Sequence, residues 1–373
     1  MHYMNRVAQS RDDTMLRIRI ATHWELGRDS AEAGQSVDTT GLLALLAAVQ
    51  DSGAIAQAAR SVGLSYRHAW GQIKRAEALF GHALLEAGRG RGSTLTPLAE
   101  KLIWADRRIA ARLSPMLQSL ASELENELDR TLLHTPRALR LHASHGFAIA
   151  ALLEQLEAVH IPVELRYRNS FESVAALARG ECDFAGFHVP IGEFEAPAAR
   201  RYMRWLRDDV HRLVQVAVRS QGLFCAAGNP RRVRGLADLH RGDLRFVNRP
   251  EGSGTRMLTE LLLAREGVEP AQVSGYDSAE FTHAAVAAFI ASGMADVGVG
   301  VQTAAQRFGL HFIALVRERY FLAFAKANSR QPPVSQVLKL LCSPAYRSAV
   351  AALPGYEAGD TGRVLGIDEA FAL

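Results

Sequence analysis

The run Arg249-Pro-Glu-Gly-Ser-Gly-Thr-Arg256 has the composition of an anion cradle. Gly252 and Gly254 let a backbone approach a bound group closely. Ser253 and Thr255 bring hydroxyl donors, and Arg249 and Arg256 bring positive charge. The spacing predicts a helix from Met257 with Thr255 as its cap. The first N–H groups of such a helix have no intrahelical partner and carry partial positive charge. The run lacks the spacing and the Lys of a nucleotide P-loop, so it suits a small anion rather than ATP. Two more serines follow expected strands. Ser144 follows Leu139–Ala143, and Ser170 follows a strand ending near Arg168 and is read as the cap of a helix from Phe171. Ligands lie beyond the carboxyl ends of strands in open α/β sheets. The candidate ligand set is therefore Ser144, Ser170, Arg249, Ser253, Gly254, Thr255 and Arg256.

A second chemistry is written between Gly53 and Arg75. Ile55, Ala58, Ala59 and Val62 make one apolar face, Gly63 permits a tight turn, and Ser65 can cap a second helix. Ala69, Ile73 and Ala76 give that second helix a buried face. Ser65, Tyr66, Arg67, Trp70, Lys74 and Arg75 are then turned outward, the residue types that reach base edges and phosphates from a helix-turn-helix. A Gly/Arg turn between two short expected strands puts Arg89 and Arg91 at the tip of a wing. From Gly53 to Arg112 there are ten basic residues against four acidic, a denser excess than the whole chain's +4 and one suited to a polyanion such as double-stranded DNA.

Other chemistries find little support. His142, His145, His188 and His283 have no spacing that completes a metal site, and the reading gives them structural or supporting roles. Thr282-His283 reads as helix cap and packing. No Ser-His-Asp order or carboxylate pair stands out, so neither an enzyme nor a cofactor is expected. Cys182, Cys225 and Cys342 are too scattered and too few for a disulfide framework or a zinc finger. With no apolar leader and no run of 18 apolar residues, the expectation is a cytoplasmic protein without a membrane span.

These residues need elements to hold them. The expected plan is a disordered tail over 1–13, a winged helix-turn-helix over 14–95, a linker and dimerisation helix over 96–134, and a two-lobed effector domain over 135–373. Met15–Leu26 alternates at strand period. Thr96-Pro97 opens the linker helix, where Leu102, Ile109, Leu113 and Leu117 form an apolar stripe fit for a dimer seam, with Pro115 inside. Dimers pairing into tetramers stay open. After Pro136, alternating strands and helices favour a mostly parallel sheet. Lobe I is expected over about 136–208 and 318–373, including a strand at Tyr320–Phe324. Lobe II is expected over about 211–316, with strands at Leu213–Val218 and Leu223–Ala227.

Leu43 to Leu95, through Gly53-Ala-Ile-Ala-Gln-Ala-Ala-Arg60, Gly63-Leu-Ser-Tyr66, Leu79-Phe-Gly81 and Leu95-Thr-Pro97, resembles the winged helix-turn-helix of molybdate-responsive ModE regulators. More distantly it is similar to LysR-type regulators. Pro136–Leu373 resembles the type II periplasmic-binding-protein-like domains named for molybdate in one-component regulators. It does so through Gln221-Gly-Leu223, Gly228-Asn-Pro230, Phe246–Arg256, Thr282–Ala288 and Ala295–Gly300. No small barrel of the ModE kind is legible. The resemblance implies a DNA-binding transcriptional regulator whose two-lobed α/β domain closes on a small anion, with molybdate or tungstate first and a small carboxylate such as formate second. A non-sensing DNA-binding protein, or a binding protein or enzyme of other substrate, is the rival reading.

Overall fold

The computed structural model describes residues 17–27, 37–87, 92–133 and 138–371. The expected tail over 1–13 and the wing-tip arginines Arg89 and Arg91 lie outside them. Strands β1 (Glu25–Leu26) and β2 (Val37–Asp38) pair antiparallel. Helices α1 (Thr39–Ser52), α2 (Ile55–Ser61) and α3 (Tyr66–Phe80) come next. The wing is β3 (Leu85–Ala87) against β4 (Ser93–Leu95). Leu42, Leu45, Leu46, Ala58, Ala69, Ile73 and Ala76 close the core of this unit. Met15–Leu26 is not a strand along its length: within the described residues only Glu25–Leu26 is paired. The preceding residues are held by α4 (Pro97–Leu133) instead. Ile18 N–H donates to Glu125 at 2.6 Å and Trp24 Nε1 to Asp106 at 3.1 Å. Alternation without a neighbouring strand makes no ladder.

The 37 residues of α4 form one helix, unbroken at Pro115. Beyond it come β5 (Leu139–Ala143), α5 (Phe147–Ala158), β6 (Val163–Tyr167), α6 (Ser170–Ala178), β7 (Phe184–Pro190) and α7 (Glu195–Arg200). The second lobe brings β8 (His211–Cys225), β9 (Phe246–Val247), α8 (Gly254–Glu266), α9 (His283–Ala291), β10 (Val297–Val301), α10 (Gln302–Arg307) and β11 (His311–Ala325). The chain ends with α11 (Pro332–Leu341), α12 (Pro344–Ala351), β12 (Tyr356–Glu357), β13 (Val364–Leu365) and α13 (Ile367–Ala370).

The sheet order is β6-β5-β7-β11-β8-β10-β9, with β12 and β13 on β8. It is mixed, not mostly parallel. β5 runs parallel to β6 and β7, and β10 parallel to β9, but β8 and β11 are antiparallel to each other and to their neighbours. Each of those two strands is 15 residues long. The separate strands expected at 213–218 and 223–227 are one strand, and β11 starts at His311 rather than Tyr320. The polar residues at 219–221 and 317–319 lie within these strands, where β8 and β11 cross from one lobe to the other. Register shifts at Ala314/Val316 and Tyr320/Phe321 mark the crossing. Lobe I packs β5, α5 and α12 around Phe184, Phe324 and Tyr346. Lobe II packs α8 and α9 on β9 and β10 around Phe246, Leu258, Val286 and Val299.

Candidate functional site: a cavity between the lobes and a helix-turn-helix face

Between the lobes lies a cavity of about 10 Å³ lined by Ser144, Arg168, Asn169, Ser170, His188, Arg219, Arg249, Ser253, Gly254, Thr255, Phe281 and His283, among others. That volume is about one water-sized sphere, so a larger guest requires the lobes to part. The first residues of three helices face it: Ser170 of α6, Gly254 and Thr255 of α8 and His283 of α9. Ser144 adds the loop before α5.

Local chemistry explains these helix starts. Ser253, in an extended conformation, accepts the N–H of Arg256 at 3.1 Å and so caps α8. Thr255 is not the cap; its hydroxyl takes the amide of Gln221 at 2.9 Å. Ser170 is not a cap either. Asn169 accepts the Glu172 N–H at 2.8 Å, and Glu172 returns the bond at 3.2 Å, a complete capping box. Ser170 is thereby freed to face the cavity. The two glycines of the cradle serve the approach of the lobes. Gly252 adopts φ 78°, and a Cβ there would meet Asn169 at 2.9–3.0 Å; at Gly254 it would meet Ser170 Oγ and His188 Cβ at 3.4 Å.

Of the two arginines flanking the cradle, only Arg249 lines the cavity. Arg256 turns away, to Glu260 at 3.2 Å and onto the Tyr276 ring at 3.9 Å, because its place one turn into α8 aims it along the helix flank. Arg249 is 4% exposed and has no carboxylate partner among the described residues. Its Nη1 donates to His283 Nδ1 at 3.1 Å and its Nη2 to the Phe281 carbonyl at 2.6 Å, while Nε has no partner. Guanidinium only donates, so His283 carries its proton on Nε2. Burial, then the neighbouring Arg219, lowers Arg249 to about 9. Burial also holds His188 and His283 well below their usual range, reinforced by both arginines. The histidines are neutral, and the cavity's positive charge comes from its arginines, with Arg249 the buried one that has no carboxylate partner among the described residues. Burial opposes the charge of Arg219 too, but Glu318, which pairs with it, and Tyr356 together raise it above its ordinary value. Glu318 also accepts from Gln221 at 2.9 Å.

His188, Arg219, Gln221, Asn169 and Glu318 were not in the sequence-derived ligand set. His188, at the end of the wholly buried β7, stacks on Tyr320 at 4.0 Å with Nε2 unpartnered. The legible signal was polar residues inside apolar strands, as at 219–221 and 318–320.

On the N-terminal unit, Ser65 caps α3 by accepting the His68 N–H at 3.2 Å. Tyr66, Arg67, Trp70, Lys74 and Arg75 are exposed. Tyr66 and Trp70 stack at 6.3 Å and Lys74 lies over Trp70 at 4.7 Å, one column at four-residue spacing. Lys74 also binds Glu77 at 2.7 Å. Arg67 and Arg75 have no ion-pair partner among the described residues. Arg67→Ala should therefore weaken specific DNA binding by roughly 1–3 kcal/mol and relax sequence preference at one base position. Lys74→Ala should weaken all sequences alike. Electrophoretic titration against matched and scrambled operators checks both, and unchanged binding in the two variants would sink the assignment.

The apolar stripe of α4 is exposed at Leu113 (37%), Met116 (63%), Leu120 (48%) and Leu124 (40%). Ile109 and Leu117 are half-buried, and Leu102 packs into the core of the N-terminal unit. Of the four residues expected in the stripe only Leu113 is exposed, and the exposed apolar face runs on from it to Leu124.

The PBP superfamily domain matches residues 152–342, and the lysR-family bacterial regulatory helix-turn-helix matches residues 40–100. The uncharacterized protein YvgK of Bacillus subtilis is 35% identical over 203 residues, 54% of this chain and 64% of that protein. The molybdenum-pterin-binding protein MopB of Rhodobacter capsulatus is 34% identical over 130 residues, 34% of this chain and 47% of that protein. The chain thus spans less than two thirds of the length of either relative. Among solved structures, Corynebacterium glutamicum OxyR (C206 mutant) aligns over 83% of this chain and 94% of its own, at 16% identity and a TM-score of 0.40. No helix among the described residues is long and apolar enough to cross a membrane.

Proposed function

The chain belongs to the PBP superfamily and joins that ligand-binding domain to a DNA-binding helix-turn-helix of the lysR family of regulators, and from this premise we propose that it is a cytoplasmic one-component transcriptional regulator, not an enzyme, that senses a small oxyanion. Molybdate or tungstate is the leading effector. One observation carries the anion reading: a buried arginine without a carboxylate partner among the described residues, where three helices begin. A buried charge is costly unless paired, and an anion would supply the pair. The donors arrive singly from several elements, namely Ser144, Ser170, Ser253, the first N–H groups of α8 and Arg249 Nε. That arrangement suits a tetrahedral, acceptor-only ion. The resemblance to a molybdenum-pterin-binding protein favours molybdate. Formate or another small carboxylate is the second reading, favoured by the small cavity. The exposed stripe of α4 would pair two chains and set two recognition helices about one DNA turn, or a small multiple, apart.

Calorimetry with molybdate, tungstate, sulfate and formate separates the effectors. A lost hydrogen bond to a charged ligand costs roughly 1.5–3 kcal/mol, so Ser253→Ala should weaken binding about ten- to a hundred-fold. If no anion binds better than millimolar, or Ser253→Ala and Thr255→Ala bind like wild type, the loop is a helix cap and nothing more.

A further inference from the structure

We propose that Thr282 and Pro115 are positioning residues that couple the cavity to α4, through a backbone carbonyl that the proline leaves without a helical partner. Pro115 has no N–H, so the carbonyl of Ala111, four residues earlier, loses its rung of the helix. Thr282 Oγ1 donates to that carbonyl at 3.3 Å and accepts the Ala285 N–H at 2.9 Å as the cap of α9. The next residue, His283, holds Arg249 in the cavity. Two residues before, buried Glu280 takes Arg112 Nε at 2.7 and 2.8 Å, which pins the same turn of α4 to lobe II.

Lobe I grips the other side of the proline. Ser119 Oγ donates to the Pro115 carbonyl at 2.9 Å and accepts the Tyr167 N–H at 3.0 Å. Tyr167 is followed by Arg168 and Asn169, both lining the cavity. Residues 111–119 are therefore held by both lobes, on either side of the one missing rung. Helices bend most easily where a rung is missing. A change in the distance between Thr282 and Tyr167 must move the two halves of α4 relative to each other, and that helix carries the DNA-binding unit at its N-terminal end.

The proposal rests on the reading that an anion moves the lobes, and the test separates the two. Amide hydrogen exchange of peptides covering residues 105–125 is followed in the full chain, with the cavity perturbed by molybdate and, independently, by Arg249→Gln. In wild type either perturbation should change exchange roughly five-fold or more, the low end of ordinary site-to-site coupling. In Pro115→Ala the alanine N–H restores the Ala111 rung, so the helix closes at this point and the Ala111 carbonyl no longer depends on Thr282. Molybdate should then bind with unchanged heat while the exchange response of α4 is lost. Thr282→Ser, which keeps the hydroxyl, should respond like wild type. Pro115→Ala improves helix propensity and should melt no lower than wild type, so loss of response is not loss of fold. If molybdate gives no heat in wild type, the effector reading fails and the Arg249→Gln arm alone decides. A full response to Arg249→Gln in Pro115→Ala, or none in wild type, overturns the coupling.

Discussion

Arg249→Met should weaken anion binding strongly and at the same time make the anion-free protein more stable. Arg249 is buried, lacks a carboxylate partner among the described residues and is lowered to about 9, chiefly by burial. Its ordinary value is 12.5, so a depression of this size corresponds to a penalty on the order of 5 kcal/mol. The bonds to His283 and the Phe281 carbonyl, which methionine cannot make, offset part of the gain from removing it. Below about pH 9 the guanidinium is charged in both folded and unfolded chains, so the whole penalty stands at neutral pH. Methionine removes it, and replacing a buried charge with an apolar side chain of similar volume is often stabilising. Thermal unfolding should therefore move up by several degrees. Truncating one partner of a buried charge pair costs roughly 2–5 kcal/mol, so molybdate affinity should fall about thirty-fold to several thousand-fold. Calorimetry and thermal unfolding of the one variant read both effects. A variant that melts lower and binds anions normally would remove Arg249 from the site.

Leu120→Asp should convert a dimer into monomers and with it weaken DNA binding. Leu113, Met116, Leu120 and Leu124 fall at three- and four-residue steps along one exposed face of α4. A charge at the middle of such a seam is buried unpaired on association, a cost beyond the lost apolar area. Two linked DNA-binding units gain on the order of 10²–10⁴ in avidity over one, so a two-half-site operator should lose about that much. Light scattering gives the mass, and titration of one- and two-half-site DNA gives the avidity. Gln118→Asp, on the other side of the helix, should leave the dimer intact. A dimer that persists with Leu120→Asp, and with Leu113→Asp, places the seam elsewhere.

The features legible in the sequence are those set by neighbours along the chain. The turn at Gly63 with φ 71°, the cap at Ser65, the wing and the helix opened by Thr96-Pro97 all rest on contacts within a few residues. The cradle at 249–256 was legible for the same reason: glycines, hydroxyls and an arginine sit together, and Arg249, Ser253, Gly254 and Thr255 do line the cavity. Small errors also came from local competition. Ser170 and Thr255 are competent caps, but Asn169 and Ser253 reach the N3 amides and win.

Features that depend on a partner far along the chain emerge only in the folded molecule. Arg249 and Arg256 are alike in sequence, yet one is sealed behind Phe281 and His283 and the other lies on Tyr276. Arg219 and Glu318 are 99 residues apart and meet only because β8 and β11 cross between the lobes. The length of those strands was illegible too, since a strand extends as far as a neighbour offers hydrogen bonds. Pro115, inside the linker helix, reads in sequence as a position that kinks or splits it. The helix runs on unbroken: Thr282 of lobe II donates to the Ala111 carbonyl, and Ser119 of the helix itself donates to the Pro115 carbonyl while accepting the Tyr167 N–H of lobe I. Two functional units and the local chemistry of each are thus written in the order of the residues, because caps, turns and apolar periods act within a turn or two of chain. Which of those groups share a cavity is a property of the fold, because burial and charge pairing belong to the packed molecule.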